Sequence, residues 1–290
     1  MSKIFLCDGH NLAFRAYYGI RELNRSDGFP TNMIHGWLRS FWRLEDEHNP
    51  DEICIFFDKG GSPRRQNLLP QYKANRGSPP EGFSEQLEWV KTMSSALGYF
   101  WKEIEGLEAD DLIASAIRQL SETQNEIIIV SADKDLAQLV GGKVKQMLPP
   151  PTANPQRGWN ILDEQGVLAK FGVPPTSILD YLSIIGDQSD NIPGLFGVGP
   201  KTAVKWLREY GNLEELIANA GRLSPKRFCS LVYEKRELLM LNRELIKLED
   251  DVVFEIKKNR TVEMEKLKSI MSELEMNKSW EEAIRRQERD

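Results

Sequence analysis

Three cysteines and three histidines in 290 residues leave little room for several kinds of chemistry. Cys7, Cys54 and Cys229 are odd in number and far apart, so neither a disulfide framework nor a paired-cysteine zinc site is expected. Cys7 and Cys54 sit in apolar runs and read as buried free thiols. His10, His35 and His48 show no metal-ligand spacing. No stretch approaches the roughly 20 apolar residues that span a bilayer. The start, MSKIFLCDGHN, lacks the regions of a signal peptide, so no membrane partner and a cytoplasmic location are expected. The Gly-x-x-x-x-Gly-Lys-Ser/Thr loop is missing as well, so ATP use is not indicated. Positive charge is in deficit: the net charge of −6 alone argues mildly against a nucleic-acid partner. Its distribution argues otherwise, because Lys59, Arg64, Arg65, Lys73 and Arg76 follow one another with no acid between them.

What is present is an ordinary globular composition, 40% hydrophobic and 28% charged. Short apolar runs at Ile4–Cys7, Ile53–Phe57 and Ile127–Val130 suit strands buried on both faces. Helical patterns lie between them over 31–48, 84–97 (with Ser84 as the cap) and 108–120, which predicts an α/β fold with a mostly parallel central sheet. Prolines 149–151 open a loop or boundary that runs to Gly158, and helices are predicted beyond it at 163–171, 176–185, 200–210, 213–219 and 225–247. The expected division is an α/β catalytic unit over 1–157, a helical unit over 158–250 and a helical tail over 251–290 that packs back on the body.

Each predicted strand runs into acid: the first into Asp8, the second into Asp58, the third through Ser131 and Ala132 into Asp133 and Asp135. Sites in open parallel sheets lie beyond the carboxyl ends of strands, so these acids point to one shared site. Glu108, Asp110 and Asp111 open a helix; Glu108 and Asp111, three apart, share a face, and Asp110 lies about 100° from Asp111. Acids in a first helical turn are common for dipole reasons alone, and Asp187 and Asp190 alone read as a turn. Together, nine carboxylates repel strongly unless cations bind among them. All-oxygen donors select Mg²⁺ or Mn²⁺, and two such ions are a recurring solution for phosphodiester hydrolysis.

A second signal is Gly194-Leu-Phe-Gly197-Val-Gly199-Pro-Lys201-Thr202-Ala203, followed by Lys205 and Arg208. It reads as a helix–hairpin–helix that grips nucleic-acid backbone through glycines and a helix N-terminus. No apolar strand precedes the glycines, which excludes a dinucleotide-binding fingerprint. Tyr72, beside Lys73 and Arg76, is predicted to stack on a base while the cations hold a phosphate.

In combination, Asp8 with Asn11–Tyr17, Phe57-Asp58, Tyr72–Arg76, Glu108–Asp111, Ser131–Asp135, Gly186–Gly194 and Gly197–Ala203 resemble the 5′-nuclease superfamily, which includes flap endonucleases. Over residues 3 to 250 or so the chain is similar to the 5′–3′ exonuclease domain of bacterial DNA polymerase I and its stand-alone relatives. The resemblance implies a PIN-like 5′-nuclease fold followed by a helix–hairpin–helix subdomain. It implies a first metal site of Asp8, Asp58, Glu108, Asp110 and Asp111 and a second of Asp133, Asp135, Asp187 and Asp190. It implies catalytic roles for Tyr72, Lys73 and Arg76 as well as for Asp8, Asp58, Asp110 and Asp111. DNA contacts are implied at Arg15, Arg64, Arg65, Tyr72, Lys73, Arg76, Gly197, Gly199, Lys201, Thr202 and Lys205, with K⁺ at the hairpin 197–203. Expected substrates are DNA 5′ flaps, nicks and 5′ ends, and RNA primers in duplex, cut to leave a 5′-phosphate and a 3′-hydroxyl. A DNA polymerase is the implied partner in replication and repair. Phe196 departs from the resemblance, standing where many relatives are polar or basic, and segment 77–83 implies a short arch. The competing readings are a catalytically inactive DNA-structure binder and a PIN-like ribonuclease.

Overall fold

The computed structural model describes residues 2–151, 157–256 and 261–288. Six strands form one sheet in the order β3-β2-β1-β4-β5-β6: β1 Lys3–Asp8, β2 Glu52–Phe57, β3 Phe100–Glu103, β4 Glu126–Val130, β5 Val144–Leu148 and β6 Asn160–Leu162. All pairings are parallel except β5 with β6. The chain builds outward from β1 to β3, then returns to place β4 on the other side of β1. That reversal opens a crevice at the carboxyl ends of β1 and β4, where Cys7 pairs with Val130 and Asp8 projects beyond.

Residue alternation along β1 splits the core. Phe5 and Cys7 face α1 Gly9–Gly19, α2 Asn32–His48 and α4 Phe83–Ala96, whereas Ile4 and Leu6 face α5 Ala109–Leu120. On the first side Trp37, fully buried, packs against Phe41 and Phe57 at centroid distances of 4.5 and 6.0 Å. Truncating such a residue costs about 3–5 kcal/mol. The tail helices α12 Met264–Glu273 and α13 Asn277–Gln287 join this side, where Arg286 pairs with Glu45 and Asp46 and lies over Trp42.

A third cluster holds the helical lobe: α6 Glu164–Phe171, α7 Ile178–Ile185, α8 Pro200–Tyr210, α9 Leu213–Ala218, α10 Cys229–Glu234 and α11 Arg236–Ile246. Fully buried Asn242 of α11 ties the lobe together, donating to Ser183 O (2.9 Å) and Pro193 O (2.7 Å). The two-stranded ladder β7 Gly186–Asp187 and β8 Ile192–Pro193 follows α7. Gly186 (φ +74°) is required there, because a Cβ would meet Gly194 N at 2.3 Å.

Several local expectations are corrected. Gly82, not Ser84, caps α4. The helix predicted over 225–247 breaks into a 3₁₀ turn at Lys226–Phe228, then α10 and α11, separated at Lys235. Strands β3, β5 and β6 and helices α1 and α3 (Pro63–Leu68) are additions. Cys7 and Cys54 are buried and Cys229 is half-buried, and none of the three is in a disulfide. Among the described residues no helix is long and apolar enough to cross a membrane.

Candidate active site

The crevice is walled first by Asp8, which ends β1 and caps α1. Its Oδ1 accepts from Asn11 N (3.0 Å) and its Oδ2 from Ser131 Oγ (2.9 Å), the residue after β4. Asp58, one residue past β2, accepts from Ala109 N (2.7 Å) and so joins the start of α5 to the strand ends. His10 Nδ1 accepts from Asp58 N (3.0 Å); that nitrogen therefore carries no proton, and its 3.6 Å approach to Asp58 Oδ2 is not an ion pair. Burial holds His10 below its usual range. Asp133 accepts from Asp135 N (2.9 Å) and completes the wall with Asp110. Lys73, Arg76, Arg15 and Tyr18 line the same cleft of about 760 Å³.

The electrostatics of this group are those of crowded carboxylates. Burial, then Asp58 and Asp133, push Asp8 up to about 7. Burial, then Asp133 and Asp8, raise Asp110 well above the carboxylate range, and burial with Asp190 and Asp187 raises Asp133. Beside it, Asp135, Asp187 and Asp190 each offer an oxygen within 4.8 Å of the others. Burial and Asp133 push Asp135 far up, and its Oδ1 has no hydrogen-bond partner. Burial would also raise Asp187, but Lys134 Nζ at 2.6 Å and the Ser189 hydrogen bonds outweigh it and hold Asp187 low. A buried, orphaned carboxylate oxygen within an all-oxygen donor set fits hard divalent cations.

The basic arm after α3 is stapled to this second group. Lys73 N donates to Asp190 O (3.0 Å), Asn75 Nδ2 to Gln188 O (2.7 Å) and Asn191 Nδ2 to Gln71 O (2.6 Å). Lys73 Nζ lies 2.6 Å from Glu108 Oε1 and 3.7 Å from Asp190 Oδ2, bridging the two acid groups. Burial disfavours its charge, but Glu108, Asp190 and Asp58 outweigh it and raise Lys73. Arg76 donates to Asp190 Oδ1 (2.6 Å) while remaining half-exposed.

Four sequence expectations do not match their placement. Asp111 turns away from the cleft: its oxygens accept from Arg65 Nη1 (2.6 Å), Arg65 Nη2 (2.8 Å) and Glu249 N (2.9 Å), which leaves it no direct part in catalysis or metal binding. Arg65 is 2% exposed and binds Asp111, Glu108 and the carbonyls of Leu245 and Lys247, so it is not a DNA contact. Arg64 binds Glu249 at 3.1 Å and the carbonyl of Glu244, which occupies it within the protein. Tyr72, 6% exposed, points its hydroxyl between Glu108 Oε2 (2.9 Å) and Asp190 Oδ2 (3.0 Å) and has no face free for a base. Burial and those carboxylates push its phenol far up, so it stays a donor. The helix period explains Glu108 and Asp111: both face Arg65, while Asp110, between them, faces the cleft. The sequence reading missed Ser131, Lys134 and Gln146, which hold Asp8, Asp187 and the Asp133 carbonyl in place. Gln146 lies in β5, where Lys145 and Gln146 interrupt the apolar run, and nothing local in the sequence marks it as a site residue.

The hairpin is the direct continuation of the Asp190 turn. Leu195 and Val198 anchor it in the core, Gly197 has φ +74°, and Gly199 caps α8 with Pro200 in its first turn. Lys201 and Lys205 are exposed, Thr202 is half-buried, and Phe196 projects at 91% exposure. Arg208 is turned back to the Gly172 carbonyl (3.1 Å).

A model of the 5′–3′ exonuclease N-terminal resolvase-like domain matches residues 3–172, and one of the 5′–3′ exonuclease C-terminal SAM fold matches residues 173–270. A 5′–3′ exonuclease of Aquifex aeolicus is 33% identical over 280 residues, covering 95% of this chain and 93% of the relative. The thermostable DNA polymerase I of Thermus thermophilus is 31% identical over 275 residues, and there the match covers 94% of this chain but 32% of the relative. The solved structure of a bacteriophage T5 flap endonuclease with DNA and metal ions shares the fold, with a TM-score of 0.72, 20% identity and coverage of 94% and 97%. The catalytic core of Rad2 with DNA substrate gives 0.62 at 17% identity, covering 94% of this chain and 87% of its own. With both domain models matched and the acids gathered at the sheet's switch point, the chain belongs to the 5′–3′ exonuclease family of 5′-nucleases.

Proposed function

We propose that the protein is a structure-specific nuclease acting on DNA at 5′ flaps, nicks and 5′ ends, leaving a 5′-phosphate and a 3′-hydroxyl. The observation that carries this is the pairing of two adjoining carboxylate groups with the arm that bears Lys73 and Arg76. Asp8, Asp58, Asp110 and Glu108 are proposed to hold one divalent ion, and Asp133, Asp135, Asp187 and Asp190 another; Mg²⁺ suits their oxygen donors. Such ions, when bound, activate water and stabilise charge on the attacking and leaving oxygens of an in-line displacement. The chain's own part is positional. Ser131 and Asn11 orient Asp8; Lys73 and Arg76 stand at the cleft to receive the phosphate; Arg65 and Tyr72 orient Glu108.

Residues 1–157 are proposed as the catalytic unit, 158–250 as the duplex clamp and 251–290 as a tail. The hairpin's Gly197, Gly199, Lys201 and Thr202, with Lys205, grip backbone, and hairpin carbonyls with the Thr202 hydroxyl supply oxygens suited to K⁺. Arg15 adds a contact within the cleft. The Aquifex relative is named an exonuclease and the polymerase relatives carry a like segment, which supports a role in replication and repair; a cytoplasmic location is part of the same proposal. RNA in primer duplexes is a proposed substrate, and a DNA polymerase a proposed partner. The test is Asp8→Asn, which should abolish cleavage of a 5′-flap duplex while leaving flap binding intact; a variant that cuts as fast as the parent would remove Asp8 from the reaction.

A further inference from the structure

Among the described residues, Phe196 is the most exposed large apolar side chain, at 91%. Local geometry holds it there. Val198 N donates to Leu195 O (3.0 Å), which closes a four-residue turn with Gly197 at φ +74° in its third position. This is the pattern of a type II turn, which favours glycine in that position and sets the second residue, here Phe196, at the outer corner. Leu195 and Val198, the first and last residues of the turn, are buried and fix it to the core of the helical lobe. The ring is therefore presented on a rigid corner, one residue ahead of the glycines that lead into α8.

The surface around this corner is basic. No acid occurs between Asp190 and Glu209, or between Glu215 and Glu234. The 3₁₀ turn Lys226–Phe228 lies against the hairpin, since a Cβ on Gly197 would sit 3.8 Å from Phe228 Cε1. Trp206 of α8 fixes that turn, donating to Ser224 O (2.9 Å) and packing edge-on against Phe228 with ring centroids 5.6 Å apart. Arg227 lays its guanidinium over the same Phe228 ring, 4.7 Å from the centroid, and so stands exposed beside the hairpin. Neither Arg227 nor the exposed Lys201 is in an ion pair among the described residues. A basic face needs no phenylalanine at its corner to stay solvated. Nucleic-acid duplex offers a counterpart to both features, phosphates for the cations and the sugar edges of the minor groove for the ring.

We propose that Phe196 packs against deoxyribose in the minor groove of the duplex that the hairpin holds, and that Arg227 takes a backbone phosphate beside it. The inference rests on the clamp reading above and deepens it. Phosphate contacts release counterions and weaken with salt, whereas burial of an apolar ring does not depend on them. The clamp thus gains a sequence-independent contact that persists when salt rises.

The test is anisotropy of a fluorescent plain duplex over a salt titration, with Ca²⁺ in place of Mg²⁺. Phe196→Ala should weaken binding about fivefold at every salt concentration, the loss expected from burying roughly half of a phenylalanine side chain, and leave the salt slope unchanged. Phe196→Leu, which stays apolar, should recover part of that loss. Arg227→Gln should make the slope shallower by about 0.9, and an unchanged slope would remove Arg227 from the phosphate contacts. Val253→Ala, at an apolar residue 87% exposed on the segment beside α5, should change nothing. If Lys201→Ala weakens binding and Phe196→Ala does not, the clamp stands and the Phe196 contact is overturned. A Phe196→Ala loss that disappears at high salt, or that Val253→Ala reproduces, overturns it as well. A free protein that is dimeric and turns monomeric in Phe196→Ala, with duplex binding unchanged, gives the ring to a second copy of the chain instead. A parent that binds no duplex overturns the clamp reading, and this inference falls with it.

Discussion

Replacing Asp8 by Asn should stabilise the metal-free protein at alkaline pH and not at acid pH. Burial and the neighbouring Asp58 and Asp133 lift the Asp8 carboxyl from its ordinary 3.8 to about 7. The native state therefore binds more protons than the unfolded chain between about pH 4 and pH 7, and stability falls as pH rises through that window. Fully ionised, that difference corresponds to roughly 4 kcal/mol. Water entry and relaxation of the coupled acids should halve it, to about 2 kcal/mol. Asn is nearly isosteric: its Oδ1 still accepts from Asn11 N, and its amide can donate to Ser131 Oγ in place of the reverse bond. Urea unfolding in EDTA at about pH 3.5 and pH 8 measures the effect. Asp8→Asn should exceed the parent by about 2 kcal/mol at pH 8 and converge with it near pH 3.5, below the ordinary carboxylate range. Equal stabilities at pH 8 would refute the view that ionised acids oppose one another there.

Arg65→Met should destabilise the fold by about 3–5 kcal/mol in urea unfolding, because it strands Asp111 and Glu108 in the interior, and Arg65→Lys should recover only part of the loss. Lys201→Ala should weaken binding to a plain duplex and reduce its salt slope by about 0.9, and an unchanged slope would remove Lys201 from the phosphate contacts.

The central strands and the acids that end them were legible because β1, β2 and β4 are buried on both faces and read as unbroken apolar runs. The edge strands were not. Phe100–Glu103 and Asn160–Leu162 are short and partly exposed, and Val144–Leu148 mixes Lys145 and Gln146 with apolar residues. Helix α1 was hidden because Asp8 both ends β1 and caps it, leaving no loop to mark the change. At the site, sequence order identified which acids meet but not which way each faces. Asp111 and Arg65 are 46 positions apart, and nothing local in the chain signals that a residue of a basic arm is an interior anchor. Tyr72 shows the same limit: beside Lys73 and Arg76 it looks like a stacking platform, and only the fold reveals that Glu108 and Asp190 claim its hydroxyl. The break at Lys235 is likewise tertiary, since α10 and α11 have compatible helical patterns on either side of it.

The most direct measurement is cleavage of a 5′-flap duplex labelled at its 3′ end, in Mg²⁺ and in EDTA, with Asp133→Asn alongside. Cutting at the flap junction that requires both Mg²⁺ and Asp133 is the predicted result. Tight flap binding without cleavage in either Mg²⁺ or Mn²⁺ would contradict the account.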